Sequence, residues 1–145
     1  MNQTKKTRTI LKRALVPHVE SEGFVGKFPE FHRTENGELH LLSVQFDKYG
    51  GGFFLEFARH PSGHMATPWD EMVPERELTV AHSPIESRAR LQQDGHQNSL
   101  SEDWFRFEDL PANELEDLVL HVISLFPQVN DWLREGRAGP DISAK

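Results

Sequence analysis

Cysteine is absent from the 145 residues. That single absence removes disulfide frameworks, thiolate zinc sites, iron–sulfur ligation and cysteine nucleophiles together. Long apolar runs are missing as well, and none approaches the ~20 residues that a membrane-spanning helix needs. The first residues, Met1-Asn2-Gln3-Thr4-Lys5-Lys6, are basic, but no apolar stretch with a small-residue cleavage site follows them. A secretory signal is therefore not expected, and the chain suits a bacterial-type cytoplasmic protein with no membrane attachment. Surplus positive charge is also lacking. There are 16 Lys and Arg against 23 Asp and Glu, a formal net charge of −7. A phosphate backbone demands a basic surface, so nucleic acid is not an expected partner.

What is present suits one domain. A chain of this length removes roughly two-thirds of its unfolded surface from water on folding. Its 37% hydrophobic and 27% charged residues place it in the ordinary globular range. Charge is unevenly spread: Lys5, Lys6, Arg8, Lys12 and Arg13 crowd the first thirteen residues, and every acidic residue lies after them. A solvated helix face explains this plainly; a basic arm touching an acidic partner is the sharper alternative.

Apolar positions Ile10, Leu11, Ala14, Leu15 and Val19 recur at helical spacing over residues 7–22. Pro17 predicts a kink or an early end, and Gly23 a C-terminal cap. Extended segments follow at Phe24-Val25 and Phe31-His32-Arg33, then the hairpin signal Asn36-Gly37. Residues 39–46 alternate as a strand, with Leu42, Val44 and Phe46 on one face. Residues 53–59 do the same, with Phe53, Leu55 and Phe57 on one face and Glu56 opposite. Residues 60–79 hold Pro61, Gly63, Pro68 and Pro74 without periodicity and read as an irregular loop outside the packed interior, the kind of segment that often carries function. Residues 87–91 and 104–107 are further candidate strands. A C-terminal helix carries the stripe Leu115, Leu118, Val119, Val122, Ile123 and Phe126. Asn113 and Glu116 have capping-box spacing, Pro111 marks the first turn, and Pro127 bends or ends the helix. Val129, Trp132 and Leu133 continue the pattern up to Gly136. The expected architecture is a two-layer α+β domain over residues 1–136, with N- and C-terminal helices packing an antiparallel sheet of about four to six strands. Residues 137–145 are expected to form a flexible tail.

Three stretches carry a resemblance: Glu22-Gly23-Phe24 with Phe31-His32-Arg33; Val44-Gln45-Phe46-Asp47-Lys48-Tyr49 running into Gly51-Gly52-Phe53-Phe54; and Arg88-Ala89-Arg90-Leu91 with Ser101-Glu102-Asp103-Trp104-Phe105. In their order they resemble a bacterial family known as domain of unknown function 4304. The chain departs from that pattern at Phe105, where a second tryptophan is usual, and in its Pro/His-rich central loop. The resemblance implies the architecture and brings no activity with it.

No stretch spells out a known chemistry. Gly50-Gly51-Gly52 leads into the strand Phe53-Phe54-Leu55 rather than a Gly-Lys-Ser/Thr helix start, so a hairpin loop explains it better than a phosphate cradle. Ser62 lacks the Gly-x-Ser-x-Gly context of a nucleophile elbow. The acidic pairs Asp70-Glu71, Glu102-Asp103 and Glu108-Asp109 suit solvated element ends. His60 and His64, with Asp70 and His82, would hold a metal if the loop folded back; surface histidines are the plainer explanation. Gln45, Tyr49, Arg88, Arg90 and Trp104 form the more specific ligand-binding candidate, because amphipathic groups on sheet segments can hold a carboxylate or phosphate beside aromatic rings. A satisfied structural network is the alternative. No cofactor is expected. The leading expectation is a non-enzymatic binding or protein-interaction domain, monomeric or homodimeric, with an immunity- or inhibitor-like version whose acidic surface meets a basic partner. A small metal-dependent hydrolase using the histidine loop and a small-molecule binder are the alternatives.

Overall fold

The computed structural model describes residues 3–48, 50–62, 65–66, 72–92 and 104–144. Helix α1 (Gln3–Ser21) buries Leu11, Leu15 and Val19 completely, one per turn along a single stripe. Pro17 neither ends nor shortens it. The helix stops four residues later, where Gly23 adopts φ +95° and the Phe24 amide reaches back to the Val19 carbonyl at 3.1 Å. Only glycine enters that left-handed region cheaply, so the chain turns into the sheet there.

Strands β1 (Val25–Lys27), β2 (Glu30–Glu35), β3 (Glu38–Phe46) and β4 (Gly52–Pro61) form an antiparallel meander. Asn36 and Gly37 both take positive φ, and Glu35 pairs with Glu38, so the turn is the two-residue hairpin its sequence predicts. The short pair β5 (Met65–Ala66) and β6 (Met72–Val73) stands apart from this sheet. Strand β7 (Arg88–Leu91) runs along the other edge of β4, next to β8 (Phe105–Arg106). Helices α2 (Ala112–Ser124) and α3 (Phe126–Glu135) follow, and β9 (Ile142–Ala144) closes the edge on β7. The main sheet has seven strands in the order β1-β2-β3-β4-β7-β9, with β8 beside β4. The expected α+β architecture holds, with one strand more than foreseen. Part of the tail expected to be loose is that extra strand: Ser143 pairs with Arg90 and Ile142 is buried.

The C-terminal stripe divides between two helices. Leu115, Val119 and Val122 belong to α2, and Phe126, Val129 and Leu133 to α3, all with no exposed surface. Pro127 sits in the first turn of α3, where its missing N–H is harmless. The predicted capping box does not form. The helix starts at Ala112 with Pro111 as its N-cap and no side-chain cap bond, and Glu116 instead pairs with Arg13 of α1.

All three helices lie on the sheet face that carries Phe31, Leu42, Val44, Phe53, Leu55, Phe57, Ala89 and Leu91. At roughly 1.5–3 kcal/mol per buried large apolar side chain, this is the dominant source of stability. The opposite face is covered as well, and for the described part of residues 60–79 this corrects the expectation of a loop outside the packed interior. His60 lies on β4 and is buried, while Val73, Leu78 and Val80 pack against Leu39, Leu41 and Ala58 in a second, smaller core. Three short 3-10 turns, Glu75–Glu77, Val80–His82 and Ile85–Ser87, carry the chain across that face. Scattered apolar residues between prolines have no period, so the sequence hides this layer.

Candidate functional site

Strand register assembles a polar row on the outward half of the sheet. Glu30 pairs with Ser43, Ser43 with Glu56, Glu56 with Arg90, and Arg90 with Ser143. Glu56 is only 7% exposed. Its carboxylate accepts from Arg90 Nε at 3.0 Å and lies 3.8 Å from Arg88 Nη1. The Arg90 guanidinium sits 4.2 Å above the Phe54 ring, and Trp104 meets the same ring edge-on at 4.5 Å. Gln45 pairs with Phe54 across the strands and donates to Ser43 Oγ. Four of the five candidate ligand-binding residues, Gln45, Arg88, Arg90 and Trp104, are thus placed around Phe54 and Glu56; Tyr49 lies outside the described residues.

The arginines, however, are already engaged. Arg88 donates to the Ser83 and Ala81 carbonyls at 2.8 and 3.1 Å, which ties the 3-10 turns to the sheet. With Glu56 also between Arg88 and Arg90, a carboxylate or phosphate ligand would have to displace an internal counter-ion. The half-buried Glu30 at the end of the row has the opposite problem. Burial, and then the neighbouring Glu56 carboxylate, push its carboxyl up to about 7. Alternation along the strand sets Glu56 opposite the core, but no local signal marks Glu30, because only the register reveals that the two share a row.

The two described members of the histidine set, His60 and His82, take up internal hydrogen bonds. His60 Nε2 lies 2.6 Å from Ser83 Oγ, and both residues are buried. A serine and histidine at that distance have the spacing of a nucleophile and its base. Ser83 has no exposed surface, so an incoming carbonyl cannot reach it, and burial lowers the His60 pKa. His82 accepts the Thr79 amide at 2.9 Å on Nδ1 and lines a pocket of about 200 Å³ with Met72, Val73, Pro74 and Glu77. That volume is below the usual range for a small-molecule site. His64 and Asp70 lie outside the described residues. Among the described residues no three His, Asp or Glu side chains form a metal-binding group.

A second row, missed in the sequence, faces the helices. Arg33 pairs with His40, and His40 with Arg59, across β2, β3 and β4. Arg33 Nε and Nη2 point at His40 Nδ1 at 3.1 and 2.9 Å, while Nη1 donates to the Glu22 carbonyl at 2.9 Å. A guanidinium can only donate, so the His40 ring proton sits on Nε2. Burial, and then Arg33, push the His40 pKa down to about 4. Arg59 donates to the Trp132 carbonyl at 3.2 Å and pairs with Glu38 at 3.2 Å, and Arg134 pairs with Glu35 at 2.8 Å. These bonds clamp α3 to the sheet.

The family model described as a domain of unknown function, DUF4304, matches residues 15–135. Neither a curated protein nor a solved structure matches the chain.

Proposed function

The chain belongs to the DUF4304 family, and from its structure we propose that it acts as a non-enzymatic protein-interaction domain with an immunity- or inhibitor-like mode of binding. The contact surface in this reading is the segment over residues 72–87. One observation carries it: Met72 and Ile85 are 65% and 60% exposed on a segment whose Val73, Leu78 and Val80 are anchored in the second core. An anchored backbone presents such side chains at little entropic cost, which favours their use as contacts. Glu77 and Glu86 are exposed on the same segment, and with the net charge of −7 they suit a basic partner. Of the residues a metal-dependent hydrolase would use, His60 is buried against Ser83 and His82 is bonded to the Thr79 amide, which counts against that alternative.

The test is affinity capture from the native host with the wild type, Met72→Ser/Ile85→Ser and Glu77→Lys/Glu86→Lys, followed by calorimetry with the captured protein. The reading expects a basic partner that both variants lose at unchanged melting temperature. Identical partners for all three proteins, or none that is basic, would sink it.

A second reading rests on Gln45, Arg90 and Trp104 around Phe54: a small-molecule site on the polar row. It expects a ligand-induced thermal shift that disappears in both Gln45→Ala and Arg90→Ala, and a shift that survives both substitutions removes it.

A further inference from the structure

Most arginines of this acidic chain have found a carboxylate. Arg13, Arg59, Arg88, Arg90, Arg106, Arg134 and Arg137 all lie within ion-pair distance of Asp or Glu. Arg33 is buried against His40. Arg8 breaks the pattern: among the described residues its guanidinium has no carboxylate partner and instead lies 5.1 Å from the Phe28 ring and 5.2 Å from the Phe46 ring. Lys12, one helical turn further along α1, places its ammonium 5.7 Å from the same Phe28 ring and also has no described ion pair. Phe28 and Phe46 are partly buried against the main core, and Phe46 is braced by Phe53 and Phe107 at 6.0 and 6.4 Å.

This geometry has a physical consequence. An aromatic face attracts a cation but leaves its N–H groups unsatisfied. Resting on braced rings, the two cations lose little further freedom when an anion arrives, so less of the attraction is spent on ordering. Charge complementarity then sets the occupant.

We propose that Arg8 and Lys12, held over the Phe28 and Phe46 rings, dock the carboxylate side chains of an acidic segment of a partner protein. Two neighbouring cations match a pair of carboxylates, whereas a nucleic-acid backbone demands an extended basic surface that a net charge of −7 opposes. The site lies on α1, and it stands or falls independently of the surface at Met72 and Ile85.

The test is fluorescence anisotropy with a labelled hexaglutamate peptide and its hexaglutamine counterpart, at low and at physiological salt. The wild type binds the glutamate peptide in a salt-sensitive way and ignores the glutamine peptide. Arg8→Gln/Lys12→Gln weakens binding about tenfold, Phe28→Leu weakens it by less, and Lys6→Gln, an exposed cation away from the rings, changes it less than about twofold. Should the double variant melt early, Lys12→Gln alone is expected to weaken binding about threefold. Equal binding by the Arg8/Lys12 variants, an equal loss in Lys6→Gln, or tighter binding of an oligothymidylate overturns the proposal. So does a wild-type dimer that the double variant dissociates in sedimentation, since a second copy would then occupy the patch.

Discussion

The two polar rows of the sheet share one register and face opposite ways. Arg33, His40 and Arg59 lie under the helices; Glu30, Ser43, Glu56 and Arg90 lie on the outward face. Each row holds one group among neighbours that oppose its charged form. His40 has arginines on both adjacent strands and is 1% exposed, so protonation would add a third positive charge in a buried layer. Glu30 lies beyond Ser43 from Glu56, so ionisation would place a second carboxylate in a half-buried row. The inner row pins α3 to the sheet, and the outer row ties down the 3-10 turns through Arg88. A buried polar group can thus serve architecture on both faces of a sheet, and polar residues on strands are a weak guide to function.

The largest effect should come from the inner row. Arg33→Ala removes two bonds to His40, one to the Glu22 carbonyl and a cation stacked 4.3 Å from Phe24. Chemical denaturation should show a loss of about 3–4 kcal/mol; a loss below about 1 kcal/mol would mean that the row contributes little.

Acid should attack the same row. The folded pKa of His40, about 4, lies below the ordinary value of 6.5, so the unfolded chain binds the proton more tightly. The stability present above pH 6.5 then falls as pH drops toward 4, by about 3 kcal/mol at pH 4. His40→Gln should flatten that part of the stability profile, and an unchanged slope would show that other groups drive it.

In the outer row, Glu56→Gln leaves Arg88 and Arg90 without their counter-charge and should cost about 2 kcal/mol, reduced because both arginines are a quarter exposed. The smallest effect has the opposite sign. Since the Glu30 carboxyl is raised to about 7, the folded state holds its proton more tightly, and stability declines as pH rises from about 4.5 to 7. Glu30→Gln should remove this decline, making the variant about 1 kcal/mol more stable than wild type at pH 8 after allowance for solvent screening. A variant that melts with or below the wild type at pH 8 would place Glu30 in an ordinary aqueous setting.

Much of the architecture was legible because it rests on short-range periodicity. The Leu11, Leu15 and Val19 stripe, the Asn36-Gly37 turn and the alternation in residues 39–46 each follow from a local repeat. The features that escaped depend on distance. Neither the 3.6-residue nor the 2-residue period reports that Val73, Leu78 and Val80 cover a second face, or that Ile142 joins β7. Pro17 shows the converse, because tertiary packing of Leu11, Leu15 and Val19 carries α1 through a residue that locally disfavours a helix. For the candidate site, Gln45, Arg88, Arg90 and Trp104 were visible as polar groups on strand segments. Glu56 engages both arginines, and only strand pairing shows it beside them. The Ser83–His60 contact spans 23 positions and has no local signature.

The most direct measurement is a pH titration followed by NMR in one sample, reading the His40 ring and the Glu30 side-chain carboxyl together. Two opposed rows predict an inverted order, with the imidazole titrating near 4 and the carboxyl near 7. The ordinary order, with the histidine near 6.5 and the glutamate near 4.5, would contradict the account of both faces.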